Sequence, residues 1–342
     1  MADNRKDITI YDIAKKLHIS AATVSRALQD HPRVNKNTKK LIRKTAEEMG
    51  YHFNSFASNL RKKKSKVIGV IVPRLNSNFM SDVIAGIEKV VNNANYGLFI
   101  SQSLETMQRE ITNAEAMLNN RVEGLLVSLA YNTTDVDHFK EFIRRKTPVI
   151  FFDRVTELEN CPLIHIDNFK AAYEITLHLI DQGCKRIVHI TGNLLRNVYA
   201  DRFAGYKKAL EDRGIPFDDS FVIVNDLSAA AGTAAAEQIL QMTPLPDGVF
   251  SSNDICAIAC MLAVKQAGIK IPQQLAFAGF NNDPTCCVVE PNLTTVNYKG
   301  YEMGEVAAKM MINYLIDKDD AQPAHSVILR YELLIRESSL RK

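Results

Sequence analysis

The 342-residue sequence has no tryptophan, and its six cysteines, at 161, 184, 256, 260, 286 and 287, include no CxxC spacing. A disulfide framework is therefore not expected, and the thiols read as buried free groups. No stretch approaches the roughly 20 consecutive apolar residues of a membrane span, and MADNRKDITIYDIAKKL lacks the uninterrupted apolar core of a signal peptide. A cytoplasmic chain with no membrane partner is expected. Also missing are GxxxxGK[ST], GxSxG, HExxH and a strand-coupled GxGxxG, while His165, His178 and His189 are scattered over separate elements. Catalytic residues, a metal site and a cofactor are accordingly not expected, and enzymatic activity loses its usual support.

What the chain does have is segregated charge. The net +3 divides into +10 over residues 1–66, with 16 Lys/Arg against 6 Asp/Glu, and −7 over the remainder, with 26 against 33. A basic arm on an acidic body points to nucleic acid as a partner of the arm. The length and a 46% hydrophobic content allow two or three domains with a sizeable core.

The basic segment has helical periodicity. Thr9 can cap a helix whose third residue is Asp12, with Ile13, Ala14 and Leu17 on one face. Ser20 can cap a second helix in which Val24, Ala27 and Leu28 point inward, leaving Ala21, Ala22, Ser25 and Arg26 outside. Asn35 can open a third, striped by Leu41, Ile42, Ala46 and Met49 and stopped at Gly50. Three short helices with tight turns predict an all-α helix-turn-helix headpiece over residues 1–54. A groove-reading helix needs small side chains near its start and a long hydrogen-bonding reader further on, the pattern of Ala21, Ala22, Thr23, Ser25 and Arg26. Residues 55–66, SFASNLRKKKSK, are too short for a stable isolated helix and read as a linker that orders only with partners.

From Val67 the pattern changes to short apolar runs alternating with amphipathic stretches. VIGVIVP, GLFISQS, VEGLLVSL and TPVIFFD read as buried strands, with helices after the first three. The alternation restarts at PLIHID and continues through RIVHITG, FVIVND, DGVFSSND and LAFAGF. This predicts an α/β core of two lobes, each a doubly wound parallel sheet, with a cleft at the carboxyl ends of the strands. The expected division is residues 67–164 plus 299–322 for the first lobe and 165–298 plus 323–342 for the second.

The segment ITIYDIAKKLHISAATVSRALQDHPRVNKNTKKLIRKTAEEMGYHFNSFASNLR resembles the headpiece of the lactose/galactose-repressor (LacI/GalR) family, and the two-lobed remainder resembles that family to the C-terminus. The resemblance implies an operator-binding transcription regulator, a homodimer on pseudo-palindromic double-stranded DNA, controlled by a small molecule, a sugar or sugar derivative, between periplasmic-binding-protein-like lobes. It implies phosphate contacts for Tyr11, Thr23, Ser25 and Asn35, base reading by Arg26, and operator preference set by Ala21 and Ala22. Thr9 and Ser20 stand with these as candidate DNA contacts. Asn54, Ala57 and Leu60 match a hinge helix that pairs across the dimer, with Leu60 wedged into a minor-groove base step. In the core, Asn78, Phe79, Ser128, Asp153, Arg202, Asn253 and Asp254 match effector-binding positions. Arg202 stands out because a planar fork of donors suits sugar hydroxyls, phosphate or carboxylate.

Two departures from the family pattern bear on the ligand. GFNN stands where an aspartate is usual, so the amide of Asn281 replaces a carboxylate acceptor. Leu227 occupies a position where an aromatic often stacks, which leaves Phe79, Tyr199 or Tyr298 for that role. Two other readings compete: a protein effector on the first lobe, and an α/β enzyme or transport-type binding protein with a basic extension. The C-terminal RESSLRK carries no leucine heptad of the kind that joins dimers into tetramers.

Overall fold

The computed structural model describes residues 8–28, 30–51, 65–316 and 326–341. The chain divides into two compact units, residues 1–65 and 66–342. Asn54, Ala57, Leu60, Lys62, Lys63 and Lys64 lie outside the described residues.

The first unit holds helices α1 (Ile10–Leu17), α2 (Ala21–Leu28) and α3 (Lys36–Glu48). Each starts where a short polar side chain meets an unpaired helical amide. The Asp12 carboxylate accepts from the Thr9 backbone N–H at 2.8 Å and from its hydroxyl at 2.7 Å. Ser20 Oγ accepts from the Thr23 amide at 3.1 Å, and Asn35 Oδ1 from the Asn37 amide at 2.8 Å. Ile13, Ala14, Val24, Ala27, Ile42 and Ala46 close a small apolar core. Leu41, expected in that core, is 54% exposed. At 3.6 residues per turn the buried stripe runs through Ile42, Thr45 and Ala46, which turns Leu41 about 100° away.

The second unit contains two six-stranded sheets. The first has the order β11-β5-β4-β3-β1-β2, built from β1 (Val67–Val72), β2 (Gly97–Gln102), β3 (Gly124–Val127), β4 (Val149–Phe152), β5 (Leu163–Ile166) and β11 (Val327–Leu329), all parallel. The second has the order β12-β10-β9-β8-β6-β7, built from β6 (Ile187–Thr191), β7 (Val222–Val224), β8 (Gly248–Ser251), β9 (Ala276–Phe280), β10 (Thr294–Asn297) and β12 (Glu332–Leu334). It is parallel except for the antiparallel edge pair β10–β12. Both sheets are the doubly wound kind that the alternation predicted.

The lobe boundaries differ from expectation. The division between residues 164 and 165 cuts through β5, which belongs whole to the first sheet, and β11, assigned in advance to the second lobe, pairs in parallel with β5. Alternation of apolar runs orders strands along the chain but does not reveal which sheet edge a late strand joins. The chain passes between lobes three times: after β5, between β10 and α11 (Gly300–Ile316), and between β11 and β12.

Helices α4 (Asn78–Asn93), α5 (Met107–Asn119) and the short α6 (Lys140–Arg144) follow β1, β2 and β3; in the second lobe α7 (Asn168–Asp181) precedes β6, and α8 (Asn197–Asp212), α9 (Ala229–Gln241) and α10 (Asp254–Gln266) follow β6, β7 and β8. The helix expected after β3 is thus mostly loop, ending in the five residues of α6. Among the described residues no helix is long and apolar enough to cross a membrane. Five cysteines are buried and free, and Cys287 is free and exposed.

Helices α4 and α11 approach so closely that a Cβ on Gly304 would overlap the Val83 carbonyl oxygen, and one on Gly86 the Tyr301 carbonyl. Backbone on both sides leaves nothing to swing aside, so Gly304→Ala is expected to destabilise the core by about 1 to 3 kcal/mol. Urea unfolding measures this directly, and an unshifted midpoint would show that the helices separate at no cost.

Candidate functional sites: the reading helix and the inter-lobe cleft

In the first unit the outer face of α2 carries the residues singled out from the sequence. Ala22 and Arg26 are exposed, while Ala21, Thr23 and Ser25 are half-buried. Tyr11, on α1, is 64% exposed. Thr9, Ser20 and Asn35 are engaged locally as caps, and the Ser20 and Thr23 hydroxyls lie 2.8 Å apart. Arg26 is thus a long donor rising from a surface otherwise cut down to methyl and hydroxyl groups.

In the second unit the cleft lies at the carboxyl ends of the strands and is organised around Arg202, on α8. Its guanidinium is 3% exposed. Nε donates to Asn168 Oδ1 at 2.9 Å and Nη1 to the Ser252 carbonyl at 2.8 Å. The group lies over the Phe280 ring, with Cζ 3.6 Å from its centroid and 5.9 Å from that of Tyr298. Asn168 opens α7, Ser252 follows β8, Phe280 ends β9 and Tyr298 follows β10, so four strand-end segments meet on one side chain.

Opposite Arg202 stands Asp153, just after β4, buried and with a left-handed φ of 58°. The Tyr298 hydroxyl lies 3.2 Å from Asn281 Oδ1 and 3.5 Å from Asp153 Oδ1, so its single proton is divided between two acceptors. Burial raises the Asp153 carboxyl above its ordinary pKa, opposed by Arg154 and Arg202. Asn281, half-buried, has a φ of 118°, strained for a residue with a side chain. Phe79 is buried and packs on Tyr298 with ring centroids 4.6 Å apart. The Ser128 hydroxyl, at the end of β3, is buried without a hydrogen-bond partner.

Other expected cleft residues are committed elsewhere. Asn253 caps α10 through the Cys256 amide at 2.9 Å and donates to the Leu227 carbonyl, also at 2.9 Å. Asp254 is fully buried; its oxygens accept from Thr295 Oγ1 at 2.7 Å and the Asp283 amide at 2.8 Å. These bonds tie the β9 loop to α10 within the second lobe. Asn78 is exposed on the first turn of α4, and its amide favours the charged form of Asp283. Leu227 is buried in the second lobe's own core.

The lobes are also joined by bonds that the sequence did not foretell. Tyr131 Oη donates to the Asn225 carbonyl at 2.9 Å, and Asn193 Nδ2 donates to the Tyr131 carbonyl at 3.2 Å. Asn197 accepts from the Val155 amide at 2.9 Å and donates to the Asp153 carbonyl at 3.2 Å. Arg154 donates to Tyr199 Oη at 3.0 Å while its guanidinium pairs with Glu105 at 2.6 Å. Arg196 reaches across to the Thr133 carbonyl. They lie in the loops after β2, β3, β4, β6 and β7 and on the first turn of α8, where periodicity carries no signal; the one cue was polar residues clustered after Gly192.

Asp283 is buried beside Asp254, and burial with that neighbouring charge pushes its carboxyl up to about 6. A folded-state pKa above the unfolded value means that the native state holds the extra proton, so this contribution favours folding at low pH and is lost as pH rises through about 6. Asp283→Asn is therefore expected to stabilise the core at pH 8 by up to about 2 kcal/mol and to be neutral near pH 3.5. Thermal melts of both proteins at the two pH values test this; equal shifts at both would exclude the carboxyl as the source.

Residues 9–54 match the model of bacterial regulatory proteins of the lacI family, and residues 176–339 that of a periplasmic binding protein-like domain. Catabolite control protein A of Priestia megaterium is 30% identical over 95% of this chain and 98% of its own length. The HTH-type transcriptional repressor CytR of Escherichia coli (strain K12) is 31% identical over 97% and 96%. Among solved structures, the lac repressor dimer bound to operator and the anti-inducer ONPF superposes with a TM-score of 0.86 at 22% identity, covering 98% of this chain and all (100%) of that one, a likeness of fold. With its helix-turn-helix headpiece, two-lobed α/β core and full-length relatives, the chain belongs to the LacI family of bacterial transcription regulators, and not to an enzyme family.

Proposed function

We propose that this regulator is a repressor that binds a pseudo-palindromic operator as a homodimer, with its operator affinity set by a sugar or sugar derivative held between the two lobes. The observation that carries the reading is the Arg202 seat. A guanidinium over Phe280, with Asp153, Tyr298 and Asn281 around it, presents fork-like donors, acceptors and an aromatic surround at one point of the cleft. That mixture recognises a compact ring bearing hydroxyl groups.

The DNA half rests on the exposed face of α2, with Arg26 as base reader and Ala21 and Ala22 permitting close approach. The lac repressor neighbour, of the same fold, is a dimer on its operator with a small molecule bound. Ligand acts in this scheme by favouring one lobe arrangement over another, which changes the readiness of paired headpieces to hold DNA.

Two measurements bear on the two halves. Arg26→Ala is expected to cost about 1 to 3 kcal/mol on an operator selected from a random library, with far less effect on unrelated DNA. Gel-shift titrations compare them, and equal losses on both would remove Arg26 as a reader. In a melting screen of neutral sugars, sugar phosphates, uronic acids and nucleobases, the ligand present at about 100 times its Kd adds about 2.7 kcal/mol. Arg202→Ala is expected to abolish that shift; a shift that survives places the ligand outside the cleft.

A further inference from the structure

Two guanidinium groups sit buried between the lobes bonded only to neutral oxygens. Arg202 is held by an amide oxygen and a backbone carbonyl. Arg196, 7% exposed, has one hydrogen-bonded partner, the Thr133 carbonyl of the opposite lobe, and its Nε is buried with none. Among the described residues neither forms an ion pair, in contrast to Arg154 in the same cleft, which pairs with Glu105 at 2.6 Å.

The carboxylates nearby are otherwise committed. Glu110, whose charge attracts Arg196, is fully buried and accepts from the Ala130 amide at 2.6 Å, Thr133 Oγ1 at 3.0 Å and His138 Nε2 at 3.1 Å. Asp153 and Asp201 attract Arg202 without bonding it. Burial and the neighbouring Arg154 both pull the Arg196 pKa down. An uncompensated buried cation is costly, and a bidentate oxyanion is the partner that offsets the cost best.

Arg196 also stands at the N-cap position of α8, a 16-residue helix whose first turn has no side-chain cap. The positive end of the helix dipole therefore adds to the guanidinium at the same spot. The Asn197 side chain next to it, bonded to Val155 and Asp153, fixes this helix start against the first lobe.

We infer that the ligand of this cleft carries an oxyanion, a phosphate or a carboxylate, that docks on Arg196 at the N-terminus of α8 while its hydroxyl-bearing body meets Arg202, Asp153 and Tyr298. The inference rests on the proposed small-molecule control and narrows it from sugars in general to acidic sugar derivatives. Arg196 is the specificity-determining residue in this reading, distinguishing a charged ligand from its neutral parent.

The test is a set of thermal melts of the full chain in sodium phosphate and in sodium glucuronate, each against sodium chloride of equal ionic strength and against neutral glucose. The expected result is a saturable rise in Tm of a few degrees with phosphate, glucuronate or both; which of them acts separates a phosphate site from a carboxylate site. Arg196→Gln should weaken that binding by roughly tenfold or more, Arg196→Lys should retain part of it, and Arg26→Gln in the headpiece should leave it unchanged. Circular dichroism and the anion-free Tm of each variant establish that it folds. The inference is overturned if neither oxyanion shifts the melt, or if the shift survives Arg196→Gln and disappears with Arg26→Gln, which would put the anion on the DNA-binding surface. A neutral sugar whose shift depends on Arg202 but not on Arg196 would also overturn it, while leaving small-molecule control of the cleft intact.

Discussion

A guanidinium removed from water must be held on every side, and the way Arg202 is held determines much of the cleft around it. Its partners, Asn168 and Ser252, its ring, Phe280, and its neighbour, Tyr298, come from four segments of the chain. Two of these are places where the chain passes between lobes: Asn168 stands just beyond β5, and Tyr298 just beyond β10. Arg202 is thus tied to two of the segments that connect the lobes. Asp153, approached by the same tyrosine hydroxyl, brings the opposite lobe into that arrangement.

The rest of the cleft is rimmed by polar loops. In the first lobe α4 and α11 meet backbone to backbone at Gly86 and Gly304. The loops are themselves anchored: fully buried Glu110 gathers the Ala130 amide, Thr133 and His138, and so fixes the loop that extends Tyr131 to the second lobe. A ligand of the proposed kind would meet directed bonds there rather than a featureless contact. Such bonds favour discrete arrangements over a continuum, which a binding signal needs if it is to become a change of state.

The sequence made some of this legible and left some hidden for physical reasons. Headpiece helices announce themselves through caps and a 3.6-residue stripe, so Thr9, Ser20 and Asn35 fell where helices begin. Leu41 was misplaced by one residue of phase, and Ala21, expected outside, packs partly against the headpiece core. The parallel strands were visible as short apolar runs, but β11 and β12 are three-residue edge strands, and their sheet is decided by tertiary pairing. Arg202 and Asp153 came from the family resemblance, and the structure brings them to one place together with Tyr298 and Asn281. Asp254 matched the same resemblance yet is bound within its own lobe, because one carboxylate serves as the acceptor for both the Asp283 amide and Thr295. Arg196, Tyr131 and Asn197 were not legible, since a loop side chain acquires meaning only when the opposite lobe arrives to meet it.

In the proposed scheme the state of the cleft and the hold on DNA are linked. Hydrogen exchange of the full chain, measured with and without an operator selected from a random library, reads that linkage without needing the ligand. Altered protection is expected in the cleft segments 129–134 and 192–198 as well as in the headpiece when DNA binds, because coupling between two sites is reciprocal. Protection that changes in the headpiece alone, with both cleft loops exchanging as before, would contradict it.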